Sequence, residues 1–315
     1  MKDHRCILFS GEASEPLARG IVAAGTGIVL GDIIHKKFPS GEYWCQIQEN
    51  IRGADVFLIQ ATSFPCNDNL MQLLIMSECA RRASAGRITA IMPYMGYSRQ
   101  ERKDKSRVPI SAKLVMDMIA VAGIDRMVTM DLHAAQIAGF TNLSVDNLYF
   151  ESTLIKYIKS QFIKIEVVVA PDIGGVKRAN ELSKKMHTGL ALVAKNRLGD
   201  TDVEVIQFVG DVKGKNVLIV DDLTESAGTL INAAEECKKN GANTVYCAIS
   251  HNCITDVGKK RLNDAYGNGT IEQVYVSNSI GEHKGDRWMT VIDVAPVFAS
   301  AIKCIHNNES VSSLF

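Results

Sequence analysis

An α/β fold built on mostly parallel sheets is predicted by three features of this 315-residue chain. Short apolar runs rich in Val and Ile recur along it, longer amphipathic stretches separate them, and several runs end in acids or glycine turns. In chain order the apolar runs predict strands at 6–9, 55–60, 87–92, 127–131, 166–170, 190–193, 216–221, 244–249 and 273–276. Helical spacing of apolar residues predicts helices over 67–84, 110–123, 174–186 and 227–240. Segments 42–48 and 203–209 alternate apolar and polar residues, which predicts antiparallel hairpin arms or flaps.

The length exceeds what one hydrophobic core usually supports, so two domains are expected, of roughly 150 residues each. The boundary is placed at 147/148, giving domains 1–147 and 148–315. MVTMDLHAAQIAG at 127–139 and VLIVDDLTESAGT at 217–229 each run from a strand through acids into a Gly-containing turn, which hints at a duplicated domain. With 46% hydrophobic and 22% charged residues, and 35 bases balancing 35 acids, the chain is neither disordered nor polybasic. A nucleic-acid or membrane partner is not expected. The eight cysteines show no C-x-x-C pair and read as reduced thiols. With no apolar run near the ~18 residues of a membrane span, a cytoplasmic location is expected.

The most informative segment is Val217 to Thr229. A buried strand delivers Asp221 and Asp222 at its C-terminal end, where open α/β sheets bind ligands. Carboxylates only accept hydrogen bonds, so an adjacent pair suits the two vicinal hydroxyls of a ribose. The turn Glu225, Ser226, Ala227, Gly228, Thr229 then opens a helix whose backbone N–H groups can cradle a phosphate. Residues 97–107 carry five bases and two acids, Arg99, Arg102 and Lys103 among the bases, in a loop that could close over a polyphosphate. His133 and Asp172 each follow a predicted strand. They are too few for a closed metal cage but fit a Mg²⁺ that keeps waters and takes phosphate oxygens. Lys195 and Arg197 project from one strand end and could stabilise a transferring group. The residues thus describe a magnesium nucleotide and a ribose phosphate held side by side, with a phosphate-containing group passing between them. Spacing alone does not distinguish transfer at the β-phosphorus from transfer at the γ-phosphorus.

Several longer motifs give this reading a family. NDNLMQLLIM at 67–76, RASAGRITAIMPYMGYSRQERK at 82–103, VPISAKL at 108–114, MDLHAAQI at 130–137, APDIGGVKRA at 170–179, DDLTESAGT at 221–229 and SVSSLF at 310–315 occur in that order, and through them the chain resembles ribose-phosphate pyrophosphokinases end to end. The resemblance implies two phosphoribosyltransferase-like domains and the reaction of ATP with ribose 5-phosphate to give phosphoribosyl pyrophosphate and AMP. It implies that Arg99, Gln100, Arg102 and Lys103 clamp ATP as co-substrate. Phe38, Ser40, Gly41 and Glu42 would reach ATP from a neighbouring subunit, and His133 would serve both the nucleotide and Mg²⁺. Lys195 and Arg197 become the catalytic cations, and Asp172, Arg197, Asp221, Asp222 and Glu225 to Thr229 the sugar-phosphate site, with Asp172 also a magnesium position. A homohexamer built from dimers is implied, as are inorganic phosphate as activator and ADP as inhibitor, through the serines of the tail. The chain departs from the family pattern at Ser40 (usually Asp or Asn), Ala138 (usually Gln) and Glu225–Ser226 (usually Asp-Thr). A phosphoribosyltransferase and a non-catalytic regulatory homologue are the competing readings.

Overall fold

The structure is a computed structural model that describes residues 5–24, 27–197, 204–281 and 286–314, apart from the side chains of 195–197, 204–206 and 313. The chain divides into two compact units, one of Met1–Tyr149, Ser279–Glu282 and Asp293–Phe315, the other of Phe150–Asn278 and His283–Ile292.

In chain order the first unit contains β1 (Cys6–Ser10), α1 (Glu15–Ala23), β2 (Val29–Leu30), β3 (Ile33–Lys37), β4 (Tyr43–Ile47), β5 (Asp55–Ile59), α2 (Cys66–Arg82), β6 (Arg87–Met92), α3 (Ser111–Val121), β7 (Arg126–Met130) and β8 (Ser144–Leu148). Its sheet has six strands in the order β2-β1-β5-β6-β7-β8, and every pairing is parallel. The strands β1 and β5 are buried throughout, because helices cover both faces of a parallel sheet. Phe9, Val56, Leu58, Met76, Met116 and Ile119 form the centre of one core.

The alternating stretch at 42–48 is one arm of a two-stranded antiparallel hairpin, β3–β4. Its tip closes by Phe38 N–H to Glu42 O (2.8 Å) and Gly41 N–H to Phe38 O (2.8 Å), with Gly41 at φ +91°, a value that favours glycine. His35 Nε2 bonds Ser10 O at 2.7 Å, and Tyr43 Oη lies 2.5 Å from His35 Nδ1. Since a carbonyl only accepts, the proton sits on Nε2, and Nδ1 accepts from the tyrosine. These contacts and the Lys37–Asp68 ion pair (2.5 Å) fasten the hairpin to β1 and α2.

The second unit contains α4 (Glu151–Ser160), β9 (Val167–Ala170), α5 (Val176–Met186), β10 (Gly189–Arg197), β11 (Glu204–Val209), β12 (Val217–Thr224), α6 (Gly228–Lys239), β13 (Val245–Asn252), α7 (Asp256–Gly267), β14 (Gln273–Ser277) and β15 (Met289–Ile292). Its sheet runs β11-β10-β9-β12-β13-β14-β15, with β11 antiparallel at the edge beside β10. Residues Glu204–Val209 thus form the antiparallel arm that the alternation over 203–209 predicts, residue 203 lying outside the described residues. Val169, Ile219, Leu230, Ile249 and Trp288 lie in a core cluster of this unit.

The last helix, α8 (Ala295–His306), belongs to the first unit. Arg87 holds Asp55 with two nitrogens, at 2.8 and 2.5 Å, and also donates to Ile305 O at 2.9 Å. His306 Nδ1 lies 2.8 Å from Asp55 Oδ2. A strand start, a neighbouring strand and the end of α8 thereby converge on one buried carboxylate.

With the antiparallel edge β11 set aside, the two sheets share one topology. In each, the second strand lies outside the first and the remaining strands follow on the other side. The duplication hinted at by sequence is present, but the segments that suggested it are not equivalent. Ranked within its sheet, β7 matches β14, and the counterpart of β12 is β5. The similarity of 127–139 to 217–229 reflects a shared local environment, a buried strand ending in polar residues, and not shared position.

Candidate active site

Open α/β sheets bind ligands outside the carboxyl ends of strands where the winding direction reverses. In the second unit that point lies between β9 and β12, which are neighbours in the sheet while β10 and β13 lie on opposite sides of them. The loop Pro171–Gly175 follows β9, and the turn Glu225–Ala227 follows β12. Asp172 and the Asp221–Thr229 segment, singled out from sequence, therefore flank one crevice.

Asp222 is buried (4% exposed) and Asp221 partly so. Asp221 Oδ1 accepts the Asp222 backbone N–H at 2.9 Å. Its pKa is pushed up to about 7, first by burial and then by the neighbouring charge of Asp222, with Arg178 opposing the rise. Arg178, in the first turn of α5, places Nη1 3.3 Å from Asp221 Oδ1 and 3.1 Å from Asp222 Oδ1.

The turn that follows is shaped by backbone contacts. Ala227 adopts the left-handed conformation (φ 58°, ψ 8°), which reverses the chain directly into α6. No side chain caps α6, so Ser226 is not the helix cap that a purely structural reading would make it. The first N–H groups of a helix lack partners within the helix and carry its positive dipole end, which suits a phosphate. The turn is propped from behind by α7. Thr255 donates to Glu225 O through its backbone N–H (2.9 Å) and its hydroxyl (3.1 Å), and Arg261 Nη1 donates to Ser226 O at 3.1 Å. Gly258 comes so close that a Cβ there would lie 2.3 Å from Glu225 O. Gly258→Ala is therefore expected to push α7 off the turn, costing about 1–3 kcal/mol of stability and raising KM for the sugar phosphate severalfold. Thermal unfolding together with KM measurement checks both effects.

At the start of α5, Asp172 Oδ1 accepts the Gly175 N–H at 2.9 Å, so one carboxylate oxygen is committed to the turn. An oxygen that accepts one hydrogen bond keeps a second lone pair, so the Asp172 carboxylate can still meet a metal. In the first unit His133 is exposed, two residues after Asp131, whose left-handed φ of 43° turns the chain out of β7. Among the described residues no group of three His, Cys, Asp or Glu could hold a metal. Single ligands of this kind fit a magnesium that brings its other oxygens from water and phosphate.

The charged segment 97–107 lies between β6 and α3. Its base is fixed where Gln100 N–H bonds Tyr97 O (3.0 Å) and Ser111 Oγ donates to Gln100 Oε1 (2.5 Å). Arg99, Gln100, Arg102 and Lys103 are exposed. The hairpin tip is exposed as well, with Ser40 Oγ donating to Glu42 Oε2 at 2.7 Å and Lys36 Nζ 4.8 Å from the centre of the Phe38 ring. Lys195 and Arg197 lie on β10, in register with Ile206 and Glu204, and their side chains fall outside the described residues.

The first unit's equivalent crevice, between β1 and β5, is filled by side chains. Gln60 stands at the strand end where the second unit has its acids, is fully buried, and donates to Asn69 Oδ1 at 3.2 Å and to Gln72 Oε1. Ser14 Oγ accepts the Ala61 N–H at 2.7 Å. Gly11 leaves room for this, since a Cβ there would lie 2.3 Å from Gln60 Oε1. The acid pair is present in one of the two copies of the topology.

Comparison with known proteins assigns the chain. The profile for the N-terminal domain of ribose phosphate pyrophosphokinase matches residues 6–123, and that for the phosphoribosyl synthetase-associated domain matches 201–315. The ribose-phosphate pyrophosphokinase of Campylobacter jejuni is 43% identical over 308 residues, covering 98% of each chain. This chain belongs to the ribose-phosphate pyrophosphokinase family. Ribose-phosphate pyrophosphokinase A of Dictyostelium discoideum is likewise 43% identical, over 99% of this chain and 98% of its own. The crystal structure of phosphoribosylpyrophosphate synthetase from Mycobacterium smegmatis matches with a TM-score of 0.89 at 34% identity, over 96% of this chain and 99% of that one.

Against the pattern of this pyrophosphokinase family, the substitution at Glu225 falls where the backbone carbonyl is tightly held and the side chain is exposed. Ala138 packs against the first unit's core. Sequence reasoning missed Arg178 and the bracing residues Thr255, Gly258 and Arg261. Arg178 carried a signal, being a cation three residues beyond Gly175 in a helix that follows a strand end. The bracing residues carried none, because α7 meets the turn only in the tertiary fold.

Proposed function

We propose that the chain transfers the diphosphoryl group of ATP to the C1 hydroxyl of ribose 5-phosphate, giving phosphoribosyl pyrophosphate and AMP. The observation that carries this reading is the second unit's crevice, where an acid pair and an uncapped helix N-terminus stand at the reversal of the sheet. The carboxylates of Asp221 and Asp222 would accept the vicinal hydroxyls of the ribose. Backbone N–H groups of the Ser226–Thr229 turn would hold the 5-phosphate, orienting the C1 hydroxyl towards the nucleotide.

The C1 oxygen attacks the β-phosphorus, the bond from that phosphorus to the α,β-bridging oxygen breaks, and AMP leaves while the hydroxyl proton is released. The chain need supply only alignment and charge stabilisation. Arg99, Gln100, Arg102 and Lys103 would neutralise the polyphosphate from the loop after β6, and Lys195 and Arg197 the charge that builds during transfer. Magnesium would lower the charge of the phosphates; His133 in the first unit and Asp172 in the second are each a proposed position for such an ion. The hairpin tip Phe38–Glu42 would serve the nucleotide of a neighbouring subunit in a hexamer built from dimers. Inorganic phosphate and ADP would act as effectors through the tail serines.

The test is AMP release from ATP and ribose 5-phosphate with magnesium, run with and without inorganic phosphate and ADP. Absence of AMP alongside binding of both substrates would make the chain a regulatory homologue. Lys195→Ala and Arg197→Ala are expected to lower kcat by about 10²–10³ with little change in KM for ATP, because they act on charge developed in the transition state. An unchanged kcat with a raised KM would give them a binding role instead.

A further inference from the structure

We infer that Arg178 is a positioning residue of the sugar site, holding Asp221 and Asp222 as hydrogen-bond acceptors for a vicinal diol and so setting the preference for ribose over deoxyribose phosphates. This rests on the proposed sugar-binding role of the acid pair.

Two carboxylates on consecutive residues at a strand end would ordinarily repel and take up a proton. A protonated carboxyl donates where a sugar hydroxyl needs an acceptor, or turns to its neighbour, and the site then loses an acceptor. The cation that counters this comes from a different element. A single Arg178 nitrogen serves one oxygen of each acid, at 3.3 and 3.1 Å, so its two hydrogens span the pair and hold the two carboxylates at a fixed separation. Both contacts are longer than the ~2.7–2.9 Å of a tight ion pair. The arginine therefore lends charge without closing the site.

The placement is built into the fold. Arg178 lies in α5, which leaves β9, and the acids lie on β12, which pairs with β9 through Val217–Ile219. The charged residues around Asp221 on adjoining elements are Asp222 on β12, Asp172 in the loop after β9, Lys177 and Arg178 on α5, His251 on β13 and Glu225 in the turn; those of α6 lie in its last turns. Of these, Asp222 raises the pKa of Asp221 and Arg178 lowers it. Loss of the arginine removes a charge that holds the pKa of Asp221 down, and the pair takes its proton at higher pH. An acceptor role requires the ionised form, so activity on ribose 5-phosphate falls as pH drops through the pair's titration, and removing Arg178 moves that fall upward.

The test uses R178Q and R178K in the full-length enzyme, with ribose 5-phosphate and 2-deoxyribose 5-phosphate as probes. R178Q is expected to raise KM for ribose 5-phosphate about 10- to 100-fold, with KM for ATP unchanged and kcat at saturation within about threefold. The acid limb of kcat/KM for ribose 5-phosphate should move up by about one pH unit or more. Preference for the ribose over the deoxyribose substrate should narrow at least about fivefold. R178K retains the charge and should restore the acid limb and most of the KM. An R178Q enzyme with the wild-type acid limb and sugar preference overturns the inference. So does equal loss in R178K and R178Q, which would mark a packing role. Wild-type protein that releases no AMP from ribose 5-phosphate would instead overturn the proposed function, a separate outcome.

Discussion

Replacing Asp221 and Asp222 together by asparagine is expected to cut kcat/KM for ribose 5-phosphate by about 10- to 100-fold while leaving KM for ATP unchanged. A hydrogen bond to a charged acceptor contributes roughly 1.5–3 kcal/mol, and each asparagine keeps one neutral acceptor oxygen, so the loss corresponds to about half of two such bonds. The same variant should be at least as stable as wild type, because the pair is held at a cost. Asp221 titrates near 7 in the fold, well above the 3.8 of an ordinary aspartate, chiefly through burial and the charge of Asp222. A carboxyl whose pKa rises on folding withdraws stability as pH climbs from its unfolded value through its folded one. The stability gained by Asp221→Asn should therefore be small at pH 4, grow between 4 and 7, and level off above. Steady-state kinetics and thermal unfolding at several pH values check both halves. A variant that loses activity and stability in parallel would show the pair to be structural.

Asp55→Ala is expected to destabilise the protein by about 3 kcal/mol, lowering Tm by roughly 6–10 °C, with no change in either KM at temperatures where the variant is folded. Asp55 is buried at the start of β5, the end of that strand opposite the ligand-binding loops, and its carboxylate serves both Arg87 and His306. Alanine strands a partly buried guanidinium, and leaving a charge without its partner costs more than the ion pair itself contributes. Replacing both partners in Asp55→Leu, Arg87→Met should recover much of the loss. If the double variant is no more stable than Asp55→Ala, the penalty comes from lost packing and not from the orphaned charge. Because α8 ends on this cluster, proteolysis of the single variant should begin near Ile305 and His306.

Periodicity and composition determined a good deal of this. The nine predicted strands correspond to strands of the two sheets, and the four predicted helices appear as α2, α3, α5 and α6 with no end shifted by more than two residues. The helices α1, α4, α7 and α8, the hairpin strand β3 and the short edge strands β2, β8 and β15 went unread. Strands exposed at an edge lack the long apolar run that marks a strand buried on both faces. The Asp221–Thr229 segment was legible because its chemistry is contiguous, with strand, acids, turn and helix start lying in one stretch of chain. Its motifs, with those elsewhere, also carried the family.

What only the tertiary structure decided are relations between residues far apart in sequence. Arg178 reaches the acid pair across 43 and 44 positions, and Thr255 and Arg261 hold the turn from 30 and 35 positions away. That the matching strand end of the first unit is closed by buried amides was equally beyond a linear reading. The end of β5 and the end of β12 occupy the same place in the same topology, yet Gln60 and its buried amide partners fill one crevice while charged acids stand at the other. Local sequence sets which groups a strand end presents. Whether they face a ligand or one another depends on what neighbouring elements bring against them, because burial and opposing charge, set by packing, fix both the space and the ionisation.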